Sequence, residues 1–160
     1  ENNVNTHLIM SEWAKKTLEI ETDLPLESVE KLAAVVYDHK NLGARTSSGS
    51  FITDGMVVLP CSMKTLSSIA NGYCENLISR TADVMIKEGR KLVLCPRETP
   101  LNTIHLENMI TLSRIGVRMV PPMPAFYNHP KSIDDLINHH VMKVLDQFGI
   151  RHKKGKRWDG

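Results

Sequence analysis

The sequence predicts an α/β fold, a doubly wound parallel sheet built as a single domain, and three observations carry that reading. Short apolar runs alternate with amphipathic helical stretches along the 160 residues, the pattern of strands joined by crossover helices. Leu92-Val93-Leu94-Cys95 is apolar at every position, as expected of a parallel strand covered on both faces. Polar residues capable of chemistry directly follow three of the strands: Ser11, Ser62-Met63-Lys64-Thr65 and Arg97-Glu98. In open α/β sheets the ligand crevice lies outside the strands' carboxyl ends.

Thr6 to Met10 reads as a short strand. Ser11 is an N-cap for a helix over Glu12 to Glu21, in which Trp13, Ala14, Thr17 and Leu18 recur at helical spacing. Leu26 to Val36 reads as a second helix, with Val29, Leu32, Ala33 and Val36 on one face. Asp38 to Ser50 is polar, carries Gly43 and Gly49, and reads as a loop of the kind that is often functional or mobile. Since an α/β domain of this kind opens with a strand and helix of its own, we expect a further strand upstream of Glu1.

Gly55 to Pro60 is a second buried strand. Cys61 to Thr65 turns into a helix with Leu66, Ile69, Ala70 and Tyr73 facing inward. Free backbone N–H groups and the helix dipole make such a turn an anion site, although it lacks the glycines of a P-loop. Thr81 to Lys87 reads as helix and leads into the central strand. Pro96 ends that strand because it has no N–H to give a ladder. Arg97 and Glu98 then supply a fixed cation and a tunable acid before a helix over Thr103 to Ile115, closed by Gly116. An Arg-Glu pair alone reads as a surface ion pair; the polar residues at two other strand ends change the balance.

Val117 to Val120 is a further strand. Pro121 to Pro130 is a rigid loop with four prolines that presents Tyr127. Ser132-Ile133-Asp134-Asp135 is a capping box, opening a helix that buries Ile137, Val141, Val144 and Phe148 and ends at Gly149. Lys143 lies off that apolar face, toward solvent or another chain.

Composition narrows the function classes. Hydrophobic residues make up 41% and charged residues 24%, ordinary for a soluble globular protein. A net charge of +2 without a basic stripe argues against nucleic-acid binding. Arg151 to Arg157 is a dense basic run, so we divide the chain into a domain over 1–150 and a solvated tail over 151–160. Cys61, Cys74 and Cys95 show no disulfide framework, which suggests reduced thiols and a cytoplasmic location. No apolar run approaches the roughly 20 residues of a membrane span, and we expect no signal peptide. His139 and His140 point about 100° apart on a helix, while His105, His129 and His152 lack ligand spacing, so we expect no catalytic metal.

If the three strands are neighbours, Ser11, Ser62 to Thr65 and Arg97-Glu98 share one edge. Hydroxyls, a Lys, an Arg and a helix amino end suit a phosphorylated cofactor, without choosing between flavin mononucleotide, a nicotinamide and a sugar phosphate.

The runs GMVVLPCSMKT (Gly55 to Thr65), PRETPLNTIHLEN (Pro96 to Asn108), PPMPAFYNHP (Pro121 to Pro130) and VLDQFG (Val144 to Gly149), with the weaker THLIMS (Thr6 to Ser11), closely resemble the UbiX-like flavin prenyltransferases. The short form, with Arg157-Trp158 near its end, resembles the B subunit that accompanies bacterial phenolic (hydroxyarylic) acid decarboxylases. The resemblance implies a Rossmann-like flavoprotein that assembles as a homo-oligomer, often a dodecamer. It implies transfer of the dimethylallyl group of dimethylallyl phosphate to N5 and C6 of reduced flavin mononucleotide (FMN), for use by a UbiD-like decarboxylase.

Position by position, Ser11, Ser62, Met63, Lys64, Thr65 and Arg97 match flavin-binding positions. Arg80, Lys87, Glu98, Tyr127 and Lys143 match positions around the prenyl phosphate, with Glu98, Lys87 and Tyr127 as the catalytic candidates. Two departures stand out. The family's Gly-Ala-Ser-Gly turn, which holds the flavin phosphate, has no counterpart and would lie upstream of Glu1. The position of Lys143 is usually Arg, so the bidentate fork that matches phosphate is lost. Two other functions fit the same fold: a flavin-dependent decarboxylase acting directly on a peptidyl-cysteine or aromatic acid, and a non-catalytic flavin carrier subunit.

Overall fold

A computed structural model of the chain describes residues 4–152 and 154–157. The central strand of the prediction, β4 (Leu92–Pro96), is buried at all five positions. It lies between β3 (Met56–Cys61) and β5 (Arg118–Met119) in a parallel sheet of order β3-β4-β5. Side chains of β4 alternate between two cores, as the twofold repeat of a strand requires. Leu92 and Leu94 join Val58, Cys61, Leu66, Ile69, Ala82, Val84, Met85, Leu112 and Val117 on one side. Val93 and Cys95 join Val144 on the other, with Phe148 packed against them.

The helices that supply these side chains are α3 (Met63–Ala70), α4 (Leu77–Lys87) and α5 (Thr103–Arg114) on the first face, and α6 (Ile133–Asp146) on the second. The sheet is therefore covered on both faces, as expected. Each fully buried Leu here contributes about 1.5–3 kcal/mol of transfer free energy. β3 can start close to β4 only because residue 55 is glycine. It sits at φ +151°, and a Cβ there would lie 2.5 Å from the Lys91 carbonyl, which also accepts the Met56 N–H at 2.9 Å. Register between β3 and β4 shifts between Val58 and Cys61, where Pro60 cannot donate to the ladder.

A second, two-stranded parallel sheet pairs β1 (His7–Met10) with β2 (Val35–Asp38). It carries α1 (Glu12–Glu21) and α2 (Leu26–Glu30), neither of which has a buried residue. Among the described residues no hydrogen-bonded strand joins the two sheets. Helix α4 packs against both β1 and β4.

Several sequence expectations need correction. The second helix does not run to Val36: it ends at Glu30, and Val35 to Asp38 form β2, paired Ile9 to Tyr37. A Val-Val-Tyr run favours the pleated surface beside β1 over a helix. The loop after it contains a 3-10 turn, Arg45–Ser47. Helix α4 begins four residues before Thr81, because Asn76 caps it and forms a capping box with Ser79. Tyr73 and Ile137 are exposed rather than buried, at 62% and 55%.

The basic tail is not simply solvated. Arg157 grips Asp146 through two hydrogen bonds of 2.9 and 2.5 Å, and Asn128 donates to the Lys156 carbonyl at 3.3 Å. Trp158 lies outside the described residues. No helix among the described residues is long and apolar enough to cross a membrane.

Candidate active site

The carboxyl ends of β3 and β4 leave the sheet side by side. Cys61 pairs with Pro96, and the Arg97 N–H donates to the Cys61 carbonyl at 3.3 Å. This contact sets the Ser62–Thr65 turn next to Arg97 and Glu98. Ser62 caps α3: its Oγ accepts the Thr65 N–H at 3.2 Å and lies 3.1 Å from the Thr65 hydroxyl. Among the described residues the N–H groups of Met63 and Lys64 take no partner, so the amino end of α3 is an open set of donors at the positive end of its dipole. Met63 itself packs its side chain against the main core. The Lys64 ammonium turns away from the edge to Glu75, 2.7 Å off, and that bonded carboxylate raises its pKa.

Arg97 and Glu98 do not pair with each other among the described residues. Both are exposed, and a Glu98 carboxylate oxygen accepts the Thr99 N–H at 3.0 Å. The acid is thus aimed by its own backbone and remains open at the sheet edge. Neither neighbouring thiol is a nucleophile. Burial, with Cys95 as a lesser cause, pushes Cys61 up to about 12, and burial pushes Cys95 up to about 11, far from the thiolate that reactivity requires.

The other predicted residues fall in separate groups. Ser11 caps α1, its Oγ accepting the Ala14 N–H at 3.1 Å, but its strand belongs to the two-stranded sheet. Of the three strand ends expected to converge, those of β3 and β4 are joined by hydrogen bonds among the described residues. Arg80 stands near the start of α4 and donates to the Ser47 carbonyl at 3.2 Å and to Asp83 at 2.7 Å. Lys87 ends α4 and bonds the Glu88 carboxylate, which lowers the pKa of Glu88. Lys87 precedes β4 whereas Arg97 follows it. The two lie at opposite ends of a five-residue strand, roughly 17 Å long.

Tyr127 meets α6. Its ring stands edge-on to His139 at 5.7 Å, with the hydroxyl 3.5 Å from Nε2. Lys143, one turn beyond His139, lines with it a cavity of about 560 Å³ that also takes in Arg118, His140 and Gln147. His140 is held below the ordinary histidine range, first by burial and then by the charge of His139, and its Nε2 is buried without a partner among the described residues. The sequence presents these histidines only as possible metal ligands, and nothing local in it signals the contact of His139 with Tyr127 across twelve residues. Among the described residues no group of three His, Cys, Asp or Glu side chains could hold a metal.

Two parallel sheets flanked by helices, with donors gathered at a strand-end turn, define a nucleotide-binding α/β protein. The family model for flavoproteins matches residues 1–145, and the chain belongs to that family, in its UbiX-like flavin prenyltransferase branch. It is 60% identical over 158 residues to a probable UbiX-like flavin prenyltransferase of Escherichia coli O157:H7, covering 99% of this chain and 80% of that protein. Two solved structures superpose with TM-scores of 0.97. One is a dodecameric FMN-dependent UbiX-like decarboxylase from Escherichia coli O157:H7, 59% identical, with 99% of this chain and 85% of that one covered. The other is AnUbiX (PadA1) in complex with FMN and dimethylallyl pyrophosphate, 52% identical, with 99% and 84% covered.

Proposed function

We propose that the protein is a flavin prenyltransferase that joins the dimethylallyl group of dimethylallyl phosphate to reduced FMN, and that the prenylated FMN serves a UbiD-like aromatic acid decarboxylase. The observation that carries this reading is the join of β3 to β4, which sets the open amino end of α3 beside Arg97 and Glu98. Unpartnered N–H groups at a helix start fit the electron-rich oxygens of a flavin nucleotide. Ser11, Ser62, Met63, Lys64, Thr65 and Arg97 are the residues we assign to FMN, Met63 and Lys64 through their backbone.

Reduced FMN supplies the nucleophile, so none is asked of the protein. The protein's task is the leaving group. When the allylic C–O bond breaks, the electron pair departs with the phosphate, and fixed cations stabilise the charge as it develops. Arg80, Lys87, Lys143 and the Tyr127 hydroxyl are assigned that role, and Glu98 protonates the departing phosphate. Charge supplied by side chains lets the reaction run without a metal, so a chelator leaves the rate unchanged.

Lys87 lies far from Glu98 within one chain, so we read the site as completed between copies of a homo-oligomer. The dodecameric relative supports that reading, as do the exposed apolar side chains Trp13, Leu101, Ile104 and Phe126. We assign the assembly to the cytoplasm, since its cysteines are free thiols.

A second reading is favoured by one observation, the description of a relative of TM-score 0.97 as an FMN-dependent decarboxylase. One experiment separates the two. Purified protein is mixed anaerobically with reduced FMN and dimethylallyl phosphate, or in parallel the diphosphate seen with AnUbiX. Prenyl transfer gives a flavin of altered spectrum and increased mass. Unmodified flavin, with release of carbon dioxide from an aromatic acid, establishes the decarboxylase instead.

A further inference from the structure

Arg80 is not a free surface cation. Its Nε donates to the Ser47 carbonyl at 3.2 Å and its Nη1 to the Asp83 carboxylate at 2.7 Å, so two acceptors from different elements fix the guanidinium plane. The Ser47 carbonyl is itself held in place. Thr46, one residue earlier, is 5% exposed, and its hydroxyl lies 3.0 Å from that of Thr81 on α4, in a buried pair. Arg90 donates to the carbonyls of Gly49 and Phe51, at 2.5 and 2.8 Å, and Arg45 lies 4.5 Å over the Phe51 ring. The 45–51 segment, which the sequence presents only as a polar loop, is thus bound to α4 and its C-terminal turn by three of their side chains, Arg80, Thr81 and Arg90. It carries one backbone acceptor to the edge of Arg80.

We propose that Asp83 and the Ser47 carbonyl are positioning groups for Arg80, holding its guanidinium ready for the phosphate of the dimethylallyl donor, with the Thr46–Thr81 pair setting the position of that carbonyl. This rests on the assignment of Arg80 to the prenyl phosphate. The chemistry explains why two acceptors are used. A guanidinium has five N–H donors in a rigid plane. Engaging Nε and one Nη1 hydrogen leaves the Nη2 side for a phosphate while the long side chain has already lost its rotamer freedom, so less entropy is lost on binding. Asp83 acts through Arg80 and need not touch the donor.

The test uses the full-length protein loaded with FMN, and isothermal titration of dimethylallyl phosphate beside steady-state kinetics. Asp83→Ala should weaken the donor about tenfold, the worth of one charge-assisted hydrogen bond. It should appear in Kd and KM more than in kcat, and leave FMN affinity within about twofold. Asp83→Asn keeps an acceptor oxygen of the same shape and should recover much of the loss. Thr46→Val should show a smaller loss of the same kind.

Because Asp83 works through Arg80, the double variant Arg80→Ala/Asp83→Ala should be no worse than Arg80→Ala alone. Additive losses in that cycle overturn the proposal. So does unchanged donor affinity in both Asp83 variants, and so does tighter binding, which would make Asp83 a competitor of the phosphate. If Asp83→Ala fails to fold, the Asn and Thr46 variants decide by the same measures. If wild-type protein leaves the flavin unmodified, prenyl transfer fails as a reading, and the titration alone judges Asp83. Wild-type protein that binds no donor overturns both.

Discussion

The two halves of the molecule are built from the same parts and buried to very different degrees. In β3–β5 with α3–α6, the central strand is fully enclosed and Leu66, Leu92, Leu94 and Leu112 are all under 2% exposed. In β1–β2 with α1 and α2, neither helix buries a residue, and Val35 and Val36 of β2 are 37% and 42% exposed. The first half generates its stability within the chain. The second holds its shape through the ladder between β1 and β2, the stack of His7 on Tyr37 and the contact with α4. Strand pairing alone is marginal in water, so the second half needs further apolar cover to be as firm as the first.

The largest expected difference lies in paired truncations. Leu94→Ala should cost about 3–5 kcal/mol, since it opens a cavity in a rigid core. Leu8→Ala, on the half-buried β1, should cost less than half as much. Urea unfolding of both variants at one protein concentration reads the difference. Equal losses would show that β1 is covered in solution as completely as β4, and would erase the contrast.

Two serine caps sharpen it at a smaller scale. Ser11 and Ser62 make the same hydrogen bond to the backbone three residues on, each worth about 1 kcal/mol. Ser62→Ala should lower global stability by that amount, because α3 is part of the core. Ser11→Ala should leave the urea midpoint nearly unchanged and speed amide exchange in α1 alone. A global loss for Ser11→Ala would mean that α1 unfolds together with the core.

The same contrast explains what could be read from the sequence. Leu92 to Cys95 announced β4 because a strand enclosed on both faces leaves no polar position in its pattern. Ser11 and Ser132 announced helix starts through local chemistry, and each does cap its helix; the caps Ser62 and Asn102 came only with the structure. Val35 and Val36 read as the end of a helix because their strand is made by pairing with β1 twenty-eight residues away, and a short apolar run looks alike in both states. At the candidate site, the placing of the Ser62–Thr65 turn beside Arg97, through the pairing of Cys61 with Pro96, followed from parallel topology. The links from Arg80 to Ser47 and from Tyr127 to His139 did not, since each joins residues whose spacing carries no signal. Resemblance supplied those residues, and the structure supplied their neighbours.

The smallest expected effect concerns acid, and it falls on α6 rather than on either sheet. Asp135 at its start accepts N–H groups from Lys131 and Ser132 at 2.7 and 3.1 Å, and those donors, Lys131 first, lower its pKa. Asp146 at its end is lowered first by the hydrogen bond from Arg157. A carboxylate with a depressed folded pKa contributes stability that is fully present above its unfolded value of about 3.9, and loses it as pH falls through the folded value. His140 is depressed by burial; for a histidine the same direction means that the unfolded chain takes up its proton first, so stability declines as pH drops below about 6.5. All three groups therefore push the same way. Between pH 7 and pH 6 only His140 contributes, and below about pH 4 both ends of α6 and the Arg157 clasp weaken. Amide-exchange protection in α6 should fall relative to that in β4 across this range, in two stages. Protection that falls equally in both elements would show that α6 opens only with the core, and that its charged ends carry no separate weight.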